Sequence, residues 1–116
     1  MATKQEIRNK ALRKLGRYRN NASPSASISA DIDDAYLEVY ERLENEGLVT
    51  WASDADIPTE YVGPIVALVA SERATEYATS NDRYMRLVND SQRAEVIIRR
   101  LTNDSYIPSV TPISDY

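Results

Sequence analysis

IPTEYVGPIVALVASERATEYATSND, residues 57–82, decides the fold of this 116-residue chain because it predicts a central helix over residues 59–78. From Ile65 onward, bulky aliphatic residues form one side of this helix and small residues, mainly alanine, form the other. Two faces that can be buried predict a helix flanked on both sides. Pro64 removes a backbone donor near the start of the helix, so we expect a bent or separate first turn.

The sequence after this stretch predicts one more helix and then an extended arm. The helix begins near Ser80 or Asn81 and ends near Leu101, with apolar residues at helical spacing. Only TSND, residues 79–82, joins it to the central helix, and so short a connection makes the two helices antiparallel neighbours. Residues 103–116 carry two prolines and no helical period, which predicts an arm and not a helix.

Two further helices are predicted before the central one. Thr3 and Glu6 form a capping-box pattern and Gly16 is a typical C-terminal stop, which predicts a helix over residues 4–15. A second helix begins near Ser29 and ends at Gly47, with three aspartates in its first turn, where the helix dipole favours negative charge. These aspartates are Asp31, Asp33 and Asp34.

The predicted fold class is therefore all-α. No segment of convincing length shows the period of a β-strand. We expect a small bundle of about four helices, built on a long antiparallel helix pair, over residues 1–102, and an extended C-terminal arm over residues 103–116. The longest mostly apolar run, residues 61–70, is about half of a membrane span, so we expect a soluble, cytosolic chain with no membrane partner.

The only tryptophan, Trp51, lies between two predicted helices in a chain without phenylalanine. A buried ring of this size contributes roughly 1.5 to 3 kcal/mol, so it is expected to clamp neighbouring elements together. We predict that Leu48 and Trp51 form a wedge that sets the angle between the second helix and the helix pair. The alternative is that Trp51 lies at a boundary between subunits, where aromatic anchors dominate binding energy.

Charge is distributed unevenly along the chain. Residues 1–20 hold seven basic residues and one acidic residue, whereas residues 31–60 hold ten acidic residues and one basic residue. Such polarity is typical of assemblies in which the basic surface of one copy meets the acidic surface of another. The alternative is pairing within the chain or two solvated faces. The candidate interface residues are Lys10, Arg13, Lys14, Arg17, Asp31, Asp34, Glu38 and Glu41.

The sequence offers little for catalysis or cofactor binding. It contains no histidine and no cysteine, and its three glycines are isolated, which argues against common metal sites, nucleophiles and phosphate loops. No cofactor or metal is predicted. Glu72 and Glu76 lie on the apolar side of the central helix, where carboxylates need partners. Arg73 is one candidate partner, and Arg93 and Arg99 on the facing helix are others; an acid and base pair is the catalytic alternative.

The segments ATKQEIRNKALRKLG, residues 2–16, and LVTWASDADIPTEYVGPIVALVASERATEYATSNDRYMRL, residues 48–87, are separated by an acidic helix. In pattern and order, this arrangement resembles the head-to-tail connector, or tail adaptor, proteins of tailed bacteriophages, above all of short-tailed phages. The resemblance covers about residues 2–101. It implies a non-enzymatic structural protein that binds beneath the portal as a ring, dodecameric in the virion, after DNA packaging.

The same resemblance implies the remaining partners and the location. The ring extends the DNA channel, so that DNA only passes through it, and offers tail or tail-nozzle proteins a docking surface. The chain would act at the head-tail junction of the virion and be present in the host cytoplasm during assembly. In this family the arm reaches along the portal or an adjacent subunit. The matching candidates here are Tyr106, Ile107, Pro108, Val110, Pro112, Ile113 and Tyr116, and the alternative is an untethered tail.

Two rival functions stay open at this point. The basic N-terminal helix would suit a small helical nucleic-acid-binding or regulatory protein, which predicts DNA binding with a steep salt dependence. An enzyme would require a cleft that converges on Glu72 and Glu76.

Overall fold

The computed structural model describes residues 1–16, 26–77 and 80–106, with side chains up to residue 103. These ranges form five helices, which confirms the all-α class, and contain no strand beyond one isolated bridge between Ala2 and Ile57. None of the helices in the described ranges is both apolar enough and long enough to cross a membrane. The helices are α1 (Lys4–Leu15), α2 (Ala26–Asn45), α3 (Thr59–Glu72), α4 (Ala74–Tyr77) and α5 (Asn81–Tyr106).

Helix α3 is the centre of the fold. Every residue from Ile65 to Ala70 is buried, and α1, α2 and α5 all pack against this helix. The prediction of a helix covered on both sides is therefore confirmed. Tyr61, near the start of α3, shares a hydrogen bond of 3.1 Å with Thr102, near the end of α5. The two helices therefore run antiparallel, as the short connection between them predicted.

Helix α1 has the bounds and caps that the sequence predicted. The Thr3 hydroxyl accepts from the backbone N–H of Glu6, and the Glu6 carboxylate accepts from the backbone N–H of Thr3. Gly16 ends the helix with a φ of 79°, a left-handed conformation that suits glycine. The backbone of Ala2 pairs with that of Ile57 in both directions, so the start of α1 lies beside the start of α3.

Helix α2 begins earlier than the sequence predicted, at Ala26 and not near Ser29. Its first turn contains no acidic residue, so the prediction that three aspartates lie in the first turn, at the positive end of the helix dipole, was wrong. Asp33 instead accepts a hydrogen bond of 2.9 Å from Arg8 on α1. Its carboxylate is therefore stabilised by a tertiary ion pair, which does not require a position at the helix terminus.

The sequence predicted a bent or separate first turn in the central helix, and a separate turn is not found. Thr59–Glu72 is continuous through Pro64, and the interruption comes at Arg73, where φ is −113° and ψ is 16°. Pro64 lies within the second turn and forfeits only the hydrogen bond to the carbonyl of Glu60. Glu60 is exposed, so its surroundings are open to water. The helix therefore passes the proline without a break.

Helix α5 continues to Tyr106, so the predicted start of the arm at residue 103 was four residues too early. The first proline after Leu101 is Pro108, and a proline restricts only the residue that precedes it, so nothing stops the helix at Leu101. Tyr106, predicted as part of the extended arm, is the last residue of α5.

Trp51 lies in the loop between α2 and α3 and is 9% exposed. Its indole N–H donates to the Tyr36 hydroxyl at 3.0 Å, and its carbonyl accepts from the Tyr40 hydroxyl at 2.6 Å. Its ring packs against Tyr61 of α3, with 4.9 Å between centroids. The tryptophan therefore lies between α2 and the α3–α5 pair, inside the chain and not on its surface.

Leu48 anchors the other side of this loop. It is buried, and its carbonyl accepts a hydrogen bond of 2.9 Å from Thr102 of α5. Gly47, with a φ of 73°, allows the chain to turn, so that the Leu48 N–H bonds back to the carbonyl of Leu43 at 2.9 Å. Leu48 and Trp51 thus connect α2 to both members of the antiparallel pair.

Candidate protein-binding groove

An open groove crosses the surface of α3 between α1 and α5. Its larger part has a volume of about 520 Å³ and lies between α1 and the first half of α3. A smaller part of about 300 Å³ continues between α3 and α5 and shares Lys14 and Gly63 with the first. We call the two parts together the basic groove. Its lining residues include Lys10, Arg13, Lys14, Val62, Gly63, Val66, Arg93 and Ile97.

The floor of the basic groove exists because α3 carries small side chains there. Gly63 has no side chain, and a Cβ added to it would meet no atom within 4 Å. Val62 and Val66, one turn apart, lie on either side and make the floor apolar. Pro64 and Ala67 extend the floor toward α5. The glycine and proline next to the apolar run are the sequence signal that marks this surface, although the sequence reading related Pro64 only to helix bending.

The rim of the basic groove carries a net positive charge. Lys10, Arg13 and Lys14 come from one side of α1, and Arg93 comes from α5. Two carboxylates, those of Glu6 and Asp90, are also present. The Glu6 carboxylate accepts from the Thr3 backbone, which lowers the pKa of Glu6, with the Thr3 hydroxyl adding to the effect.

One end of the basic groove is closed by contacts between α1 and α5. The Lys14 ammonium lies 3.3 Å from the Asp90 carboxylate, and Arg83 donates to the Lys14 carbonyl at 2.8 Å. The other end is crossed as well, because the Met1 ammonium donates to the Thr59 hydroxyl at 3.0 Å and the backbone of Ala2 pairs with that of Ile57. The exposed part of the groove is its middle, around Gly63.

Exposed apolar residues of α5 lie next to the groove. Ile97 lines its smaller part and is 42% exposed, and the neighbouring Val96 is 56% exposed. Single exposed apolar residues are ordinary on a soluble protein, but here they adjoin an apolar floor. The combination enlarges the apolar surface that a partner could cover.

The acidic face predicted on α2 is partly occupied within the chain. Arg73 donates to both oxygens of Glu38, at 3.1 and 2.9 Å, and to Asp31 at 3.1 Å. Tyr77 of α4 donates to the other oxygen of Asp31 at 2.6 Å. Asp34 and Glu41 are exposed.

This network shifts the pKa values of its members in the directions that the hydrogen bonds require. The Tyr77 hydroxyl, followed by Arg73, lowers the pKa of Asp31, and Arg73 lowers that of Glu38. The hydrogen bond to Asp31 raises the pKa of Tyr77, and the two carboxylates, Glu38 first, raise that of Arg73. The network connects α2 to the junction between α3 and α4, so its role is structural.

The four basic residues predicted at the subunit interface differ in their exposure and in their partners. Lys10 and Arg13 are exposed on the rim of the basic groove. Lys14 is half-buried and paired with Asp90, within the chain. Arg17 lies outside the described residues.

The partners suggested for the central carboxylates were wrong. Glu72 pairs with Arg42 of α2 at 3.4 Å, whereas Arg73 bonds to α2 and Arg99 pairs with Glu46. Glu76 is exposed. The break at Arg73 lies between Glu72 and Glu76, so these two carboxylates belong to different helices, α3 and α4. In the part of the chain that the structure describes, no three His, Cys, Asp or Glu residues are placed to hold a metal ion.

The arm candidates lie almost wholly beyond the described ranges. Tyr106 is the last residue of α5, and nothing is described of its side chain. Ile107, Pro108, Val110, Pro112, Ile113 and Tyr116 lie outside the described residues.

Comparison with known protein families, curated proteins and solved structures finds no match for this chain.

Proposed function

We propose that this chain is a structural virion protein of a tailed bacteriophage, a head-to-tail adaptor that assembles as a ring beneath the portal. The order of its sequence features, which resembles that family, suggests the identity. The observation that carries the proposal is the basic groove, because its apolar floor and charged rim suit a protein segment. Apolar grooves of this kind on a helical surface are a usual means of peptide recognition.

A rigid shape is the second support for an adaptor role. An adaptor acts by presenting fixed surfaces to two larger assemblies, so its helices must hold their angles. Trp51 and Thr102 supply buried hydrogen bonds that link α2, the following loop and α5. Buried polar groups that are fully paired favour one arrangement over its alternatives.

The distribution of exposed charge supports contacts between copies. Lys10 and Arg13 lie exposed on α1, and Asp34 and Glu41 lie exposed on α2. A contact between two different faces of identical subunits is heterologous, and such contacts close into rings when the rotation permits. Asp31, Glu38, Lys14 and Arg13 already have partners within the chain, so we assign these four residues a smaller role in assembly than Lys10, Asp34 and Glu41.

Mass measurement tests the proposal directly. The purified chain would be weighed alone and after mixing with the portal ring of the same virus, by native mass spectrometry. A dodecameric ring of the chain attached to the portal supports the proposal, and addition of tail proteins should then enlarge the complex. A chain that stays separate from the portal at micromolar concentration contradicts it.

One observation favours a second function. Lys10, Arg13, Lys14 and Arg93 converge on one surface, which would suit a nucleic-acid backbone. This rival predicts that the isolated chain binds duplex DNA with an affinity that falls steeply as salt rises. The slope of log K against log salt concentration should become more negative by about 0.9 for each phosphate contacted. The adaptor proposal predicts weak binding to DNA and specific binding to the portal. Titration of labelled DNA at two salt concentrations separates the two.

A further inference from the structure

We infer that helix α2 of a second copy binds across the middle of the basic groove, with its Leu37 seated at Gly63. Copies of this chain then associate head to tail. The inference rests on the proposed function only in expecting contacts between copies, and it names the two surfaces that make those contacts. Neither surface requires a portal or tail protein, so the purified chain alone can test it.

The middle of the basic groove has room for one bulky side chain. Gly63 is exposed there, and a Cβ added to it would meet no atom within 4 Å. Val62 and Pro64 line the groove on either side of Gly63 and make its surroundings apolar. Contacts within the chain cross both ends, at Thr59 and at Lys14, so a partner reaches this place from above and not by threading along the groove. A side chain that protrudes from the face of a helix meets this requirement.

Helix α2 carries such a side chain. Leu37 is 40% exposed and lies at the centre of a row of exposed residues spaced alternately four and three positions apart, so that they share one face of the helix. We call this row the acidic stripe, and its members are Ala30, Asp34, Leu37, Glu41 and Glu44. The only basic residue of α2, Arg42, lies outside the stripe and pairs with Glu72. The stripe therefore presents one bulky apolar side chain between carboxylates.

The charges of the two surfaces are complementary. Lys10 of α1 and Arg93 of α5 lie exposed on opposite rims of the groove, and the two carboxylates of the groove already accept hydrogen bonds within the chain. A helix α2 that crosses the floor directs Asp34 toward one rim and Glu41 toward the other, because they lie on either side of Leu37 and about 10.5 Å apart along the helix axis. The opposite charges orient the helix, and burial of the leucine supplies the apolar part of the contact.

The groove and the acidic stripe lie on different sides of the chain. Arg8 of α1 donates to Asp33 of α2, whereas Lys10, two residues later and about 200° further around the axis of α1, lines the groove. One copy can therefore use both surfaces at once, each with a different neighbour. Heterologous contacts of this kind continue past the dimer into rings or filaments.

A second copy suits this place better than a nucleic-acid backbone does. Phosphates would use Lys10 and Arg93 but leave the apolar floor at Val62 and Gly63 uncovered. The acidic stripe meets the charged rim and covers the floor as well. Every copy carries both surfaces, so groove and stripe are always present in equal amounts.

Analytical ultracentrifugation of the purified, full-length chain tests the inference. We expect the mass to rise beyond that of a dimer as the concentration increases from about 1 μM to 1 mM. Leu37→Ser should weaken this association about tenfold or more, because it removes the apolar anchor. Met85→Ser, the matched control, changes a residue that is 52% exposed and does not line the groove, and it should leave association unchanged.

Two results of this experiment overturn the inference. One is a chain that stays monomeric throughout, and the other is a Leu37→Ser variant that associates as strongly as the Met85→Ser variant. Neither result decides the proposed function, because binding to the portal is measured separately by native mass spectrometry.

Mixing two defective variants gives a sharper test. Gly63→Gln fills the place of Leu37 in the groove and keeps the acidic stripe, whereas Leu37→Ser removes the anchor and keeps the groove. Each variant alone should be monomeric at concentrations where the unchanged chain associates. Their mixture should form a dimer and nothing larger, because one intact groove meets one intact stripe and the two remaining surfaces are defective. A mixture that stays monomeric, or that assembles past the dimer, overturns the inference.

A second groove variant keeps this test valid if Gly63→Gln fails to fold. Lys10→Glu with Arg93→Glu reverses two exposed rim charges, so it should keep its circular dichroism spectrum, be monomeric alone and form a dimer with Leu37→Ser. Titration with duplex DNA covers the remaining occupant. If the unchanged chain binds DNA through these two residues and does not associate with itself, the groove belongs to a nucleic acid and the inference is overturned.

Discussion

Trp51 shows how much of this fold depends on single residues. Its ring is held by Tyr61 at one face, and its N–H bonds to Tyr36 of α2. The sequence alone predicted a wedge here, because a chain with one tryptophan and no phenylalanine has few ways to fill a gap between helices. It did not predict the tyrosine hydroxyls as partners, since hydrogen-bond geometry depends on how the helices cross.

Removing the Trp51 ring should destabilise the fold more than removing the Tyr36 hydroxyl, which accepts the hydrogen bond from the indole N–H. We expect Trp51→Ala to lower the free energy of unfolding by about 3 to 5 kcal/mol, the range for large aromatic side chains in a core. Tyr36→Phe leaves the indole N–H buried and unpaired, which should cost about 1 to 3 kcal/mol. Urea denaturation followed by circular dichroism measures both. Similar values for the two variants would contradict the wedge role of the ring.

The Asp31 network predicts how stability depends on pH. The folded-state pKa values of Asp31 and Glu38 are lowered, so their stabilisation is present above the ordinary carboxyl pKa, near 4, and is lost as pH falls below it. The pKa of Tyr77 is raised, so its stabilisation is present below about pH 10 and is lost as pH rises above it. Burial also raises the pKa values of Tyr36 and Tyr40, which adds to the alkaline loss.

The variant Tyr77→Phe should change the dependence of stability on pH in both the acidic and the alkaline range. Loss of its hydroxyl removes the largest cause of the lowered pKa of Asp31, so the fall in stability below pH 4 should become shallower. The alkaline fall should shrink without vanishing, because Tyr36 and Tyr40 still titrate. The measurement is the urea midpoint from pH 3 to pH 11. Thr75→Ala, an exposed change on the same helix, is the control and should leave the profile unchanged.

At the scale of elements, the sequence predicted helix ends well wherever a specific cap exists. Thr3, Glu6 and Gly16 define α1, and Gly47 defines the turn after α2, because each satisfies backbone groups that the helix leaves unpaired. The start of α2 and the end of α5 were predicted less well. Neither end carries a capping box or a glycine stop in the sequence, so the sequence pattern did not give their positions.

Two glycines test the contribution of backbone conformation alone. A Cβ added at either Gly47 or Gly63 would meet no atom within 4 Å, so neither variant introduces a clash. Gly63 lies inside α3 with helical geometry, and Gly63→Ala should raise the free energy of unfolding by about 0.5 to 1 kcal/mol. Gly47 has a φ of 73°, which disfavours any residue with a Cβ, so Gly47→Ala should lower the free energy of unfolding by about 1 to 2 kcal/mol. Thermal unfolding should give shifts of opposite sign, and shifts of the same sign would contradict this account.

At the scale of the whole molecule, the sequence predicted the class and the antiparallel pair but not the basic groove. Segment charges showed where basic and acidic residues concentrate, yet not which of them would pair within the chain. Arg73 illustrates this limit, because its partners on α2 are 42 and 35 residues away in sequence. The groove arises where three helices meet around Gly63, and a pattern read along one helix at a time does not contain that meeting point.

Ring assembly tests which exposed charges act between copies. Glu38 pairs with Arg73, so its reversal would disturb the fold, whereas Asp34 and Glu41 are exposed and suit the test. We expect the double variant Asp34→Lys and Glu41→Lys to weaken ring formation on the portal and to reduce its dependence on salt, since the attraction it removes is screened by ions. Native mass spectrometry at low and high salt measures both effects.

The control for this experiment must carry the same change in net charge on another surface. Glu76→Lys with Asp82→Lys meets that condition, because both residues are exposed and lie on α4 and α5. Combining the α2 reversal with Lys10→Glu restores an opposite charge across the proposed contact and should recover part of the assembly. If the control weakens ring formation as much as the α2 reversal does, or if the combined variant fails to recover, net charge and not a specific contact between copies governs assembly.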